Sequence, residues 1–248
     1  IKGFFNIIKK IKPKQFDQSY IFSDSIRLYL ISKLSGIKEN FHYKFFSKKG
    51  KNFFKTAREF TEKTLNTKVD SQSRIYFDKK DMEAAKKKYN ITDETKNIVC
   101  GISASGPTKR WDINNYIKLF ENLNLKFKCK FFLSGGPDDE DLIKKVMDSS
   151  IGKNCISFAA MDIAETIPII AACKYCISND TGFGHISAGL GLKSLMLFID
   201  SPPSAYGLYN KNISIVVPEG ETIETTTHDT LGTITVDKVL KKTLELMN

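Results

Sequence analysis

Ile1, Phe4, Phe5, Ile8 and Ile11 recur at helical spacing until Pro13 stops the run, and QSYIFS (18–23) then reads as a short strand. A second helix is predicted from Ser25 to Ser35, with Gly36 as its stop. The stretch from Ile37 to Phe46 reads as extended, and a polar helical stretch from Asn52 to Leu65 leads into a charged region. From Asn97 the pattern becomes regular. Strands near 97–102, 129–134, 154–158, 174–178 and 194–199 alternate with helical segments near 112–124, 138–149, 162–172 and 184–190. Strands separated by helices of this length predict right-handed crossovers and a parallel sheet covered on both faces. ISIVVP (213–218) adds a strand, and Thr235 is placed to cap a last helix running to Leu246. The expected fold class is α/β in two domains, residues 1–90 and 91–248.

Composition narrows the class. The 248 residues are 41% hydrophobic and 27% charged, which excludes a disordered tail, a collagen-like fibre and a disulfide miniprotein. The longest apolar stretch, Ile167 to Cys173, is far shorter than the roughly 18–20 residues of a membrane helix. The opening IKGFFNIIKKIK scatters lysines where a signal peptide keeps an apolar centre, so the chain reads as a piece of a longer protein. Five cysteines are an odd number, and most sit in apolar, strand-like stretches, which fits a reduced, cytosolic protein. Cys173 and Cys176 form a CxxC, but there is no second pair and the motif closes a helix where a redox pair would open one.

The net charge of +10 is unevenly spread. Residues 1–80 hold 19 Lys/Arg against 7 Asp/Glu, and the remainder is nearly balanced. The densest part, FHYKFFSKKGKNFFK (41–55), interleaves lysines with aromatics. That pattern suits a nucleic-acid strand, an anionic lipid surface or a phosphorylated saccharide, and equally a solvated basic face. It matches no readable RNA- or DNA-binding motif, so no nucleic-acid partner is expected.

Chemistry is expected at the carboxyl ends of the parallel strands, where loops and helix N-termini converge. Three loops there are loaded: SASGPTKRW (103–111), SGGPDDED (134–141) and NDTGFGH (179–185). In the third, Gly182 and Gly184 let backbone approach a ligand, and the helix N-terminus that follows suits a diphosphate. Thr181 adds a hydroxyl. Asp180 would repel a phosphate, so it either accepts bonds from sugar hydroxyls or caps the helix. His185, in the first turn, is expected to act as a neutral donor or to be simply packed. In the first loop Lys109 is a flexible cation for phosphate oxygens, and Ser103 and Ser105 offer hydroxyls. Pro107 directly follows Gly106, where a P-loop would need Lys. Arg110 reads as a solvent charge and Trp111 as a core anchor in preference to a stacking platform. The acids of the second loop also suit an ordinary helix N-terminus.

Taken jointly, SGPTKRW, SGGPDDE and NDTGFGH, in this order and with these intervening strands, resemble glycosyltransferase family 9, the ADP-heptose:lipopolysaccharide heptosyltransferases. The likeness covers residues 91–248 well and residues 1–90 more loosely. It implies a GT-B architecture of two Rossmann-like domains with parallel sheets, the N-terminal one incomplete and on the acceptor side, the C-terminal one holding the nucleotide sugar. It implies an inverting, metal-independent transfer of heptose from ADP-heptose, or a related nucleotide sugar, to the lipopolysaccharide inner core, with no cofactor. Work in the cytoplasm, peripheral at the inner face of the inner membrane, is implied too, with residues 1–80 facing an anionic surface.

Position by position, Lys109 matches the family lysine that neutralises the donor diphosphate, with Ser103 and Ser105 near its hydroxyl contacts. Asp180, Thr181, Gly182 and His185 match the D-[ST]-G-x-x-H loop that grips sugar and phosphates. The acidic position after G-x-P corresponds to Asp139 or Glu140. After the strand ending at Phe198, Ile199, Asp200, Ser201 and Pro202 replace the family's Gly-Pro-Thr-type turn, a departure at the nucleobase end. No residue matches the family's catalytic base, which is expected upstream of residue 1, so the chain is expected to bind donor better than it turns it over. Two other readings share the same phosphate grip: another GT-B nucleotide-sugar enzyme, and a non-catalytic nucleotide-sugar-binding module.

Overall fold

The computed structural model describes residues 2–43, 52–70, 72–230 and 232–248. The chain divides into two compact units, Ile1–Ser71 and Gln72–Asn248. In the first, helices α1 (Lys2–Ile11), α2 (Ile26–Leu34) and α3 (Phe53–Leu65) accompany two short strands, β1 (Gln18–Ile21) and β2 (Glu39–His42). The strands pair in parallel, Gln18 opposite Glu39 and Ile21 opposite His42. The rings of Phe22, Tyr43 and Phe60 meet edge to face at 5.0–5.9 Å. The centre of the basic aromatic run, residues 44–51, lies outside the described residues.

The second unit begins earlier than the expected boundary at residue 90. Helix α4 (Lys79–Tyr89), which the sequence reading left as a charged region, packs on α7 (Ile163–Ala171). Its ends are cut sharply by Asp78, which accepts from Lys80 N–H, and by Asn90 in the left-handed conformation at φ 49°. Ala85 and Ile91 join the core of this unit, and Ile75 N–H donates to Gly189 O at 2.9 Å, so residues before 90 belong to it.

Six parallel strands form the sheet: β3 (Lys96–Gly101), β4 (Cys129–Ser134), β5 (Cys155–Ser157), β6 (Tyr175–Asn179), β7 (Lys193–Leu197) and β8 (Ile213–Val216). Their spatial order is β5-β4-β3-β6-β7-β8. Successive strands therefore step outward from β3 on one side and from β6 on the other, which opens a crevice beyond the carboxyl ends of this central pair. Helices α5 (Ile113–Lys126), α6 (Glu140–Met147), α7, α8 (Gly182–Gly189), the short α9 (Pro203–Tyr206) and α10 (Val236–Met247) complete the unit.

The central strands are buried on both faces, as their unbroken apolar runs require. Ile98, Cys100, Phe131 and Leu133 face one core with Tyr116, Phe120 and Val239, while Val99, Phe132 and Cys176 face the other with Ile169 and Ile170. Gly101 stands opposite Ser178 in the β3–β6 register, and a Cβ on it would lie 2.0 Å from Ser178 Oγ, so only glycine lets the central pair close at the crevice. All five cysteines are free and buried, and burial pushes the Cys155 and Cys176 thiols up to about 12. Among the described residues no helix is long and apolar enough to cross a membrane.

Candidate active site

The crevice at the sheet's switch point holds a cavity of 560 Å³ in the second unit. Three loops build it. The first supplies Ser103, Ala104, Ser105 and Lys109, the second Gly135 and Gly136, and the third Asp180 to Phe183 with His185 and Ile186.

Local structure explains the presentation of each group. Pro107 to Lys109 form one turn of 3-10 helix, closed by Lys109 N–H on Gly106 O at 3.2 Å, which carries the lysine side chain to the cavity wall. The next residue turns the chain into the core. Trp111 is 4% exposed, its indole N–H donates to Ile234 O at 2.7 Å, and its ring meets Tyr116 edge to face. It is an anchor, as expected, and does not line the cavity. Arg110 is no solvent charge: it donates to Ala104 O at 3.4 Å and stands 3.4 Å from the Asp139 carboxylate. A guanidinium can bridge two loops in this way because its donors form a rigid fork.

The acids of the second loop face elsewhere. Asp139 is 6% exposed, and its Oδ2 accepts from Gly136 N–H at 2.9 Å while Oδ1 faces Arg110. Asp139 thus closes its own turn and clips the first loop to the second, and Glu140 is exposed on α6. Neither lines the cavity, where this loop presents the backbone of Gly135 and Gly136 instead. The open choice between the two acids thus ends with both outside the cavity wall.

At the third loop, α8 starts at Gly182, two residues before the expected 184. Thr181 occupies the N-cap position, and no side chain caps the helix. The N–H groups of Gly182 and Phe183 therefore have no protein acceptor among the described residues, and they sit at the cavity with the positive end of the helix dipole. Gly182 leaves this end bare, since a Cβ there would meet nothing within 4 Å. Gly184 is needed for a different reason: a Cβ would lie 2.9 Å from Met196 Cε and 3.0 Å from Ser178 Oγ.

Asp180 does not cap the helix. Its Oδ2 accepts from Ser201 Oγ at 2.7 Å and its Oδ1 faces His185 Nε2 at 3.3 Å. Burial acts to raise its pKa, but the bonds from His185 and Ser201 and the charges of His185 and Lys109 outweigh burial and hold the carboxyl below its ordinary value. His185 is further bonded through Nδ1 to the Tyr209 hydroxyl at 2.6 Å. Of the sequence-expected site residues, Ser103, Ser105, Lys109, Asp180, Thr181, Gly182 and His185 meet around one cavity. The sequence marked Ser201 only as part of a departing turn after β7 and gave no sign of its bond to Asp180, and Tyr206 and Tyr209, further along the same stretch, went unmarked. Ile163, Phe183 and Ile186 also went unmarked as site residues, and with Tyr206 they give the cavity an apolar wall.

A doubly wound parallel sheet with an uncapped helix N-terminus, a lysine and paired glycines around a crevice at the switch point defines an α/β domain of the nucleotide-binding type, with groups at the crevice that suit an anionic ligand. Comparison with known proteins carries this to a family. The model of glycosyltransferase family 9 (heptosyltransferase) matches residues 6–234, and the chain belongs to that family. It is 29% identical over 160 residues to lipooligosaccharide heptosyltransferase 2 of Haemophilus influenzae, an alignment covering 60% of this chain and 46% of that protein. The chain spans about half the length of two of the curated relatives it matches. Among solved structures it is similar to Escherichia coli ADP-heptose LPS heptosyltransferase II, with a TM-score of 0.74 and 18% identity over 97% of this chain and 79% of that one. It is also similar to E. coli heptosyltransferase WaaC with ADP, with a TM-score of 0.72 and 17% identity over 99% and 77%. These likenesses show the fold to be that of the GT-B heptosyltransferases.

Proposed function

We propose that this chain binds ADP-heptose, or a closely related nucleotide sugar, and serves the transfer of its heptose to the lipopolysaccharide inner core. The observation that carries the reading is that Lys109 and the uncapped N-terminus of α8 open on the same 560 Å³ cavity, in a chain of glycosyltransferase family 9. An ammonium and helix N–H groups together suit a diphosphate, since both interact with anionic oxygens more strongly than water-screened surface charges do. The wall of Ile163, Phe183, Ile186 and Tyr206 suits the flat face of a nucleobase, and Asp180 suits the sugar hydroxyls.

Transfer on this reading is an inverting, metal-independent displacement. The acceptor hydroxyl oxygen forms a bond to the anomeric carbon as the bond from that carbon to the diphosphate oxygen breaks. The leaving ADP takes the electron pair, and Lys109 with the Gly182 and Phe183 amides stabilises its charge. The hydroxyl proton passes to a general base, a role the proposal assigns to no residue of this chain.

The acceptor side is assigned to the first unit, together with a cytoplasmic, peripheral place at an anionic membrane leaflet. Lysines at 9, 10, 12 and 14 beside exposed Phe5, Ile7 and Phe16 support that assignment. Binding to vesicles containing anionic lipid should weaken as salt rises; salt-independent binding rules out the electrostatic part.

Calorimetric titration with ADP tests the donor assignment. The parent chain is expected to bind ADP, and Lys109→Ala to weaken that binding about 10- to 100-fold, as for a lost charge-assisted contact. ADP affinity unmoved by Lys109→Ala, or preference for UDP-sugars over ADP-heptose, overturns it.

A further inference from the structure

We propose that Tyr209 is a positioning residue for the donor grip: its hydroxyl donates to His185 Nδ1, fixing the imidazole as the tautomer with its proton on Nε2 and aiming that proton at Asp180. Tyr209 does not line the cavity, and the cavity residue it bonds is His185. The functional part rests on the donor-binding reading above; the tautomer itself does not.

The direction of every bond follows from the donors available. Asp180 is 3.3 Å from His185 Nε2 and takes a second bond from Ser201 Oγ at 2.7 Å, and an ionised carboxylate only accepts. Nε2 must therefore carry hydrogen. In the neutral ring Nδ1 then holds a bare lone pair, and among the described residues the group bonded to it is the Tyr209 hydroxyl at 2.6 Å. With its one proton given to the ring, the phenol oxygen can only accept in the hydrogen bond it shares with the Ser73 side chain. The result is a one-way chain of donors, Ser73 to Tyr209 to His185 to Asp180, in which each bond polarises the next.

The far end of this chain is anchored by backbone. Ser73 lies on the segment that enters the second unit, and Asn210 Nδ2 donates to Ser73 O at 3.4 Å and to Ala188 O at 3.2 Å. Ile75 N–H donates to Gly189 O at 2.9 Å, so the same segment is tied along the end of α8, the helix whose first turn carries His185. The opening segment of the second unit is thus wired by hydrogen bonds to the residue that holds Asp180 in place.

Nitrogen NMR of the 248-residue chain tests this. The protein has only three histidines, and His185→Gln assigns the signal of interest. At neutral pH, long-range ¹H–¹⁵N correlation is expected to show His185 with its proton on Nε2 alone. Tyr209→Phe should move the Nδ1 resonance toward that of an unbonded ring nitrogen, and Ser73→Ala should move it the same way by less, although Ser73 does not touch the ring. A ring protonated on both nitrogens, a proton on Nδ1 alone, or an Nδ1 signal unmoved by Tyr209→Phe in a chain with unchanged amide spectrum overturns the proposal. In parallel, Tyr209→Phe is expected to weaken ADP binding about fivefold, the value of one hydrogen bond. Equal ADP affinity of parent and variant ends the positioning role even if the tautomer is as stated. Failure of the parent to bind ADP, with the tautomer as stated, strikes the donor reading and not the bond network.

Discussion

Asn179 Oδ1 accepts the backbone N–H of Trp111 at 3.0 Å, across 68 residues of chain, and so joins the third cavity loop to the first. The same amide donates to Ile102 O at 3.1 Å and Ser103 O at 3.2 Å, and the side chain is fully buried. One side chain at the end of β6 therefore holds both ends of the loop that carries Lys109. Asn179→Ala would leave one N–H and two carbonyls buried without partners, at about 1–3 kcal/mol each where water does not reach them. A loss of about 3 kcal/mol in urea unfolding is expected, with ADP affinity falling along with it because Lys109 is no longer held against α8. Unchanged ADP affinity in a destabilised protein would separate the loop's fold from its grip.

Gly182 separates folding from binding in the opposite sense. Its Cβ direction is empty, and alanine is the better helix former, so Gly182→Ala should leave stability within about 1 kcal/mol of the parent or raise it. The added methyl stands where a diphosphate would approach the Gly182 and Phe183 N–H groups, so ADP affinity should fall roughly tenfold. Thermal melting and calorimetry on the same sample read both effects. An unaltered affinity would place the diphosphate away from the helix end.

Acid should expose the Asp180 bonds. Its carboxyl titrates below the ordinary value of 3.8 in the folded chain, so the stabilisation it brings is present above that value and is lost as pH falls through the lower folded one. Asp180→Asn removes this linkage. The stability difference between parent and variant should shrink as pH falls below about 4, as read by denaturant unfolding at several pH values. A difference that stays constant or grows below about pH 4 would mean that the carboxyl is not stabilised as its ionised form.

Much of the second unit was legible before any coordinates. The five strands and four helices from Asn97 onward occur where periodicity put them, because their apolar runs are buried on both sheet faces and leave little choice of element. Helix α4 escaped notice because KKDMEAAKKKY buries little beyond Ala85, so its apolar stripe is too thin to read. Of the named site residues, those next to glycine turns at strand ends reached the cavity, since a strand-to-helix loop in a parallel sheet has only one end of the sheet to face. Asp139 and Glu140 did not follow. In the pattern alone an acid that closes its own turn looks the same as an acid that meets a ligand.

By itself the amino-acid order determined the alternation of strand and helix, the parallel sheet, the family likeness and the three loops that hold polar residues at strand ends. These are local properties, written in spacing and in the φ, ψ demands of glycine and proline. Only the tertiary structure decided that Arg110 belongs to Asp139, that Asp180 is held by His185 and Ser201, and that Tyr209 stands behind the histidine. Apart from Asp180 and His185, which share the third loop, those partners lie on different loops, and which of them meet is set by the order in which strands assemble around β3 and β6, a long-range packing outcome that no window of neighbouring residues contains.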